Sequence, residues 1–268
     1  MKYSYKYILL IGMLVVLPIV LSAPKSMDAK YMEPCKNDTK VVVLNYHKVD
    51  NMNISLSVNP KDFDEQMAYL KEEGYSTITP DQLIDNLENG TSLPDKPLII
   101  TFDDGYLDNY TNAYPILKKY GFTATIFVVT DFISSDPRFM TWDQVRELSD
   151  SGFSIGSHTM QHKSLTEIKE EEIRKELIGS AQALEYQLGK KVSYFAYPTG
   201  TYNLKIAQFV KEAGYKAAFT IKYGNVDKAS NIYALERVPI FHTEQTFKSF
   251  CQRIQYIPLL ERLGWIKS

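Results

Sequence analysis

The sequence predicts an α/β fold built around a mostly parallel sheet. Strand-like apolar runs alternate with helix-like amphipathic segments almost throughout the chain. The strand-like runs are continuously apolar rather than alternating, which is typical of strands buried on both faces. We count about seven such strands, which favours closure into a (β/α) barrel of seven or eight strands. An open doubly wound sheet is the alternative.

The predicted elements follow one another in a regular order. Strands are expected at residues 41–44, 76–78, 98–102, 123–129, 153–156, 192–196, 216–221 and 235–240. Helices are expected at residues 60–74, 80–90, 108–120, 142–151, 169–188 and 204–213, with a last helix from Thr246 onward. Proline at the start and glycine at the end delimit the first helix, as Pro60 and Gly74 show.

The composition limits the class of protein. A chain of 268 residues with 44% hydrophobic residues can bury one sizeable core, so we expect one large domain with an appendage. Lys and Arg total 30 against 32 Asp and Glu, and the net charge of -2 gives no electrostatic basis for binding nucleic acid. Cys35 and Cys251 are compatible with a disulfide or with two free thiols, and the sequence leaves this open.

The amino terminus differs from the rest of the chain. Two lysines precede an uncharged apolar stretch at residues 7–23, which is the pattern of a targeting segment. The stretch is short for a membrane span and contains Pro18, which favours a cleaved signal and secretion, whereas Pro24 disfavours cleavage and favours an uncleaved membrane anchor. The positive-inside rule then places the remainder outside the cytoplasm. The predicted organisation is a signal or anchor at residues 1–23, a linker at 24–39 and a domain at 40–268.

Two clusters of metal-ligating side chains follow predicted strands. Asp103 and Asp104 come directly after the strand at 98–102, and His158 and His162 come after another strand. Taken alone, Asp-Asp-Gly is most often a turn and His-x-x-x-His a solvated helix face. Both clusters, however, lie at carboxyl ends of strands, where barrel enzymes place their chemistry. One carboxylate and two imidazoles form the ligand set of a catalytic metal, and the second carboxylate is a candidate general base.

Together these motifs resemble those of a known family. Residues 101–105 (Thr-Phe-Asp-Asp-Gly), which continue into 106–109, and the His158–His162 spacing resemble the first two motifs of the NodB-homology polysaccharide deacetylases, carbohydrate esterase family four. The resemblance extends over about residues 40–240. It implies a distorted (β/α) barrel in which Asp104, His158 and His162 bind a divalent metal and Asp103 is the base. Zinc is the expected metal, although the same ligands accept cobalt, nickel or iron.

Later motifs depart from the family pattern. Ala196 stands where the family has Arg, and Thr199 stands where it has Tyr. The Thr199 backbone N–H can still bind an oxyanion, although the segment is also compatible with an ordinary turn. The late Asp-x-x-Trp motif is absent from residues 234–240. Arg237 in that stretch could supply the charge that Ala196 lacks, or could form a structural ion pair with Glu236 or another surface acid.

An amino-terminal histidine indicates one branch of the family. His47 ends the first strand, and the missing late motif makes the chain similar to the branch that includes deacetylases of poly-N-acetylglucosamine, where such a histidine is the general acid. His242 is the competing candidate. The resemblance implies removal of N-acetyl groups from an N-acetylglucosamine-containing cell-wall polysaccharide or exopolysaccharide. The alternatives are an O-acetyl esterase acting on a xylan-like glycan and a catalytically silent glycan-binding barrel.

Overall fold

A computed structural model describes residues 40–243 and 246–255. The predictions made for the targeting segment at 1–23, the linker at 24–39 and Cys35 lie outside these residues. No helix within the described ranges is both long and apolar enough to cross a membrane.

Eight parallel strands form one sheet. They are β1 (Val42–Tyr46), β2 (Ser76–Thr77), β3 (Pro97–Phe102), β4 (Thr125–Val128), β5 (Ser154–Ser157), β6 (Tyr194–Ala196), β7 (Ala217–Tyr223) and β8 (Leu235–Pro239). The strand order is β1-β8-β7-β6-β5-β4-β3-β2, and an additional pairing of β1 with β3 closes a ring of seven strands. The short strand β2 stays outside the ring and pairs with the start of β3.

The ring is irregular. Between β5 and β6, a single paired position joins Ser157 to Phe195, and a register shift interrupts the pairing of β7 with β8. The predicted distorted (β/α) barrel of about seven parallel strands is therefore confirmed, and the open sheet is excluded.

Helices follow most of the strands. They are α1 (Pro60–Glu72), α2 (Pro80–Asn89), α3 (Tyr114–Tyr120), α4 (Trp142–Asp150), α5 (Glu170–Leu188), α6 (Leu204–Glu212) and α7 (Thr246–Gln255). Local sequence explains where they begin. Thr79 and Thr141 each cap a helix through the side chain, and a Gln three residues later completes a capping box in both cases.

The helix predicted over residues 108–120 is split. A π-helical turn at Asn109–Ala113 precedes the short α3. Pro115 lies in the first turn of α3, where it has no N–H to donate to the carbonyl four residues earlier. A single α-helix would leave that carbonyl without its donor and crowd it against the proline ring, which accounts for the interruption.

Side chains of the strands alternate between two hydrophobic cores. Leu44 and Ile100 belong to the larger core, in which the strands meet α-helices. Val43, Ile99 and Leu235 belong to a second cluster, which fills the barrel interior. Because side chains on a strand alternate in direction, the residues two positions later on β1, β3 and β8 also face the interior. These later residues are polar, and they begin the candidate site.

Candidate active site

The barrel interior changes from apolar to polar towards the carboxyl ends of the strands. Asn45, Thr101 and Arg237 each lie two residues after an apolar interior residue, and all three are fully buried. Asp103 follows Thr101 at the same spacing and is 1% exposed. Strand periodicity thus brings an amide, a hydroxyl, a guanidinium and a carboxylate together at one end of the barrel.

Arg237 and Asp103 form a buried bidentate ion pair. Arg237 Nη1 donates to Asp103 Oδ1 (2.8 Å) and Nη2 donates to Oδ2 (2.7 Å), while Asn45 Nδ2 donates to Oδ2 (3.0 Å). Two further donations, to the Thr220 carbonyl (2.7 Å) and to Thr101 Oγ1 (3.0 Å), fix the guanidinium. Burial alone raises the pKa of Asp103, but the charge and hydrogen bonds of Arg237, with the charges of His158 and His47, together outweigh it and hold that pKa well below its ordinary value. Asp103 is therefore ionised at any physiological pH.

Asp104 faces away from this pair and towards two imidazoles. Its Oδ1 lies 3.2 Å from His162 Nε2 and 3.5 Å from His158 Nε2. One ligand atom from each of these residues lies within 4.8 Å of the other two. Burial raises the pKa of Asp104, but the neighbouring imidazoles of His162, His158 and His47 outweigh this and lower it. The structure thus brings together all three residues that the sequence predicts as metal ligands.

The donor atoms of this cluster fit a cation. His158 Nδ1 lies 2.8 Å from the Ala196 carbonyl, which can only accept, so Nδ1 carries the proton and Nε2 presents a lone pair. Asp104 Oδ1 is buried and makes no hydrogen bond of acceptable geometry within the described residues. Two electron-rich atoms that face each other in a buried place need a proton or a cation between them. Burial lowers the pKa of His158, which disfavours a proton at its Nε2, whereas the contact with Asp104 raises the pKa of His162.

Strained backbone holds these side chains. Five non-glycine residues in the described ranges have positive φ, and four belong to the site or its turns: Asp104, Thr159, His162 and Thr199. Gly105 also has positive φ, and a Cβ there would lie 2.9 Å from Val128 Cγ1, so only glycine fits. The turn between the two histidines is fixed from below by buried Glu176, whose Oε2 accepts from Met160 N (2.8 Å) and Gln161 N (3.0 Å).

His47 lies where β1 ends, at the same end of the barrel. The Asp103 N–H donates to the carbonyl of Tyr46 (3.0 Å), the residue before His47, so His47 lies close to the acidic pair. Its Nδ1 is buried and has no hydrogen-bond partner among the described residues. His242 lies after β8, where its backbone N–H donates to the Ser55 carbonyl (2.9 Å).

The third-motif segment forms a turn, as the plainer interpretation expected. A 3₁₀ turn at Pro198–Gly200 contains Thr199, which has φ 58° and an exposed side chain. Ala196 is fully buried in β6 and contributes its carbonyl to His158. Arg237 pairs with the buried Asp103 and not with Glu236 or another surface acid, which agrees with the first of the two alternatives, a charge in place of the one that Ala196 lacks. Glu236 instead pairs with Lys222 (2.6 Å).

Sequence reasoning missed Asn45, Thr101 and Glu176. A signal existed for the first two, because each is a polar residue at an inward position of an otherwise apolar strand. Glu176 gave no such signal, since it lies in a highly charged helix where buried and exposed acids look alike.

Comparison with known proteins identifies the family. The family model for polysaccharide deacetylase matches residues 90–218, which contain both motifs. The protein YxkH of Bacillus subtilis (strain 168), whose name assigns it to the polysaccharide deacetylases, is 34% identical over 216 residues. The match covers 81% of this chain and 77% of that protein. The chain belongs to the polysaccharide deacetylase family. The family predicted from the motifs is thus confirmed, and the protein is a hydrolase by family.

Two further proteins are similar to most of this deacetylase. The poly-beta-1,6-N-acetyl-D-glucosamine N-deacetylase of Staphylococcus aureus (strain MRSA252) is 28% identical over 286 residues, covering 94% of this chain and 97% of that protein. The structure of the Streptococcus pyogenes deacetylase PplD, in complex with acetate, has a TM-score of 0.76 at 31% identity, covering 81% of this chain and 99% of that one. The deacetylase therefore resembles the poly-N-acetylglucosamine branch, as its motifs predict.

Proposed function

We propose that this polysaccharide deacetylase is a metal-dependent hydrolase of N-acetyl groups on an N-acetylglucosamine-containing cell-wall polysaccharide or exopolysaccharide. Water would split the acetamide into acetate and a free amine. One observation carries the proposal: three ligand side chains converge on one point directly beside a carboxylate that is buried, ionised and held by an arginine. The similarity to a poly-N-acetylglucosamine deacetylase over nearly the full chain supports the substrate class.

Asp104, His158 and His162 would hold the divalent cation. Their mixed oxygen and nitrogen donors suit zinc, and also cobalt, nickel or iron. A bound cation would polarise the acetyl carbonyl and lower the pKa of the attacking water.

Asp103 would accept the proton of that water. The geometry suits this role, because the carboxylate is fixed by three hydrogen bonds and stays ionised. Its low pKa makes it a weak base by itself, so the transfer depends on a water that has been acidified. Arg237 would orient the carboxylate, in place of the arginine that the family has at position 196.

His47 would donate a proton to the departing amine nitrogen, and the Thr199 backbone N–H would bind the tetrahedral oxyanion. An amine leaves poorly without a proton, so an acid is needed on the leaving-group side. The proximity of His47 to both acids and its unpartnered Nδ1 support this assignment.

The proposed setting is the outer face of the cytoplasmic membrane. Two lysines and the apolar residues 7–23 favour attachment by the amino terminus, with the domain outside, or secretion if that segment is removed. An acetylated polysaccharide is the proposed partner, and the near-neutral charge balance gives no reason to expect nucleic acid.

The test is acetate release by the full chain from N-acetylglucosamine oligomers, with zinc and with a chelator. We expect release with zinc, loss with chelator and little release from acetylated xylan. Faster release from xylan would replace the proposal with an O-acetyl esterase, and no release from either would favour a silent glycan-binding barrel. His47→Ala should lose activity on the oligomer by about 100-fold or more, and His242→Ala by much less. The opposite order would move the acid to His242.

A further inference from the structure

The segment that carries His47 leaves the barrel without support from its own strand. Beyond the strand, the Lys48 N–H donates to the Leu56 carbonyl (3.1 Å) and the Val58 N–H donates to the Lys48 carbonyl (2.9 Å), and the π-helical turn that follows β3 supplies further contacts. Asn109 Nδ2 donates to the His47 carbonyl (2.8 Å), and Asn112 Nδ2 donates to the Val49 carbonyl (2.7 Å). Asp108 accepts from the Val49 backbone N–H at Oδ1 (2.7 Å) and from Lys48 Nζ at Oδ2 (2.8 Å).

The buried position of this turn makes these contacts costly to lose. Asp108 is 8% exposed and Asn109 is 1% exposed. A buried polar group left without its partner costs about 1–3 kcal/mol. Asn109 Nδ2 also donates to Asp108 Oδ1 (3.2 Å). The two side chains are therefore hydrogen-bonded to each other as well as to the His47 segment.

The π-helical geometry presents these side chains together. The Tyr114 N–H donates to the Asn109 carbonyl, five residues earlier, which is the wide spacing of a π-turn. Such turns interrupt an α-helix at a cost and occur frequently at functional sites. Here the turn begins only five residues after Asp104 along the chain. One short piece of chain therefore connects the acidic pair to the contacts that hold the backbone of His47.

We infer that Asp108, Asn109 and Asn112 form a clamp that positions the His47 imidazole for proton donation. The inference rests on the proposed role of His47. The imidazole has no partner at Nδ1 among the described residues, so no side-chain hydrogen bond there orients the ring. Its direction is set by the backbone, and among the contacts of that backbone only those of the clamp reach the carbonyls of His47 and Val49 through side chains of the described residues. These three are positioning residues, because none of them is assigned a contact with the substrate.

The test compares Asn109→Ala with Asn86→Ala in the full-length enzyme. Asn86 is a matched control, since it is 9% exposed and its Nδ2 donates to the Thr91 carbonyl (2.6 Å) at the end of α2. Both variants should lose similar thermal stability. Only Asn109→Ala should lose kcat on N-acetylglucosamine oligomers, by about 10- to 100-fold, with unchanged zinc content. Its loss on an activated aryl acetate, whose leaving group needs no proton, should be much smaller.

A double variant separates positioning from general destabilisation. In a His47→Ala background, adding Asn109→Ala should cause no further loss of kcat, because the clamp acts through that imidazole. Multiplicative losses, or equal losses on both substrates, would overturn the clamp. Full activity of His47→Ala would instead overturn the proposed general acid. If Asn109→Ala does not fold, the half-buried Asn112 provides the same comparison through Asn112→Ala, and unchanged kcat there would refute the inference.

Discussion

Replacing Arg237 by Met should expose how much the barrel depends on one buried ion pair. The change removes four hydrogen bonds from the guanidinium, two of them to the Asp103 carboxylate. Asp103 would keep only the Asn45 amide as a side-chain donor. Removing one partner of a buried pair costs about 3–5 kcal/mol, because the other charge stays buried without compensation. We expect Arg237→Met to lose that much of its free energy of unfolding at neutral pH.

The loss in free energy of unfolding caused by Arg237→Met should become smaller as pH falls. In the wild type, Arg237 holds the pKa of Asp103 below its unfolded value, so this stabilisation is present above the unfolded pKa and is lost only as pH falls through the lower, folded pKa. In the variant, only the neighbouring imidazoles and the Asn45 amide oppose burial, so we expect the pKa of Asp103 to rise above its unfolded value. Protonation then relieves the buried charge as pH falls. The difference in stability between the two proteins should therefore shrink from pH 8 towards pH 4.

Urea unfolding in the presence of a chelator measures the difference in free energy of unfolding between the wild type and Arg237→Met without interference from bound metal. The neutral pair Asp103→Asn/Arg237→Met should be more stable at pH 8 than Arg237→Met alone, with a coupling of about 1–3 kcal/mol. Glu236→Gln is the control, because its pairing with a lysine that is 54% exposed should contribute no more than about 1 kcal/mol. A deficit for Arg237→Met no larger than the control, or one that grows as pH falls, would refute the reasoning.

Three other predictions address the ligands, the base and the amino terminus. Alanine at Asp104, His158 or His162 should abolish bound metal and activity in a folded protein, and normal metal content in two of the three variants would rule out this ligand set. Asp103→Asn should keep the metal, measured after dialysis, and lose turnover; loss of metal would mean that the roles of the two acids are exchanged. The full-length protein should fractionate with membranes, whereas a soluble, shortened product would show that residues 1–23 are a cleaved signal.

The barrel could be predicted because its pattern is local and repeated. Each buried strand is a short apolar run, and each helix carries its own start or stop, such as Thr79 before α2 and Gly189 after α5. Bounds agree to within one or two residues for most elements. The helix at 108–120 was wrong in detail, because a proline within a helical pattern indicates a disruption but not that the disruption takes π-helical form.

The ligand cluster could be anticipated, whereas the partner of Arg237 could not. Asp104, His158 and His162 stand at carboxyl ends of strands, and parallel strands bring those ends to one side of the barrel. The pairing of Arg237 with Asp103 joins residues 134 positions apart. It depends on which side chains of β3 and β8 face inward at the same height, and this follows from the closed ring and its register rather than from either local sequence.

Ala196 and Arg237, the two differences from the family pattern that affect the charge beside Asp103, are related through the barrel interior. Ala196 belongs to the interior cluster of the barrel, and β6 and β8 both pair with β7, so its position and that of Arg237 open onto the same enclosed space. A closed seven-stranded ring leaves an interior that side chains fill completely, and adding bulk to such a core is destabilising. The alanine at position 196 adds little bulk to this interior, which the buried Arg237 side chain shares. The Ala196 carbonyl still orients His158, so the strand keeps its contribution to the site while the charge beside Asp103 comes from across the barrel.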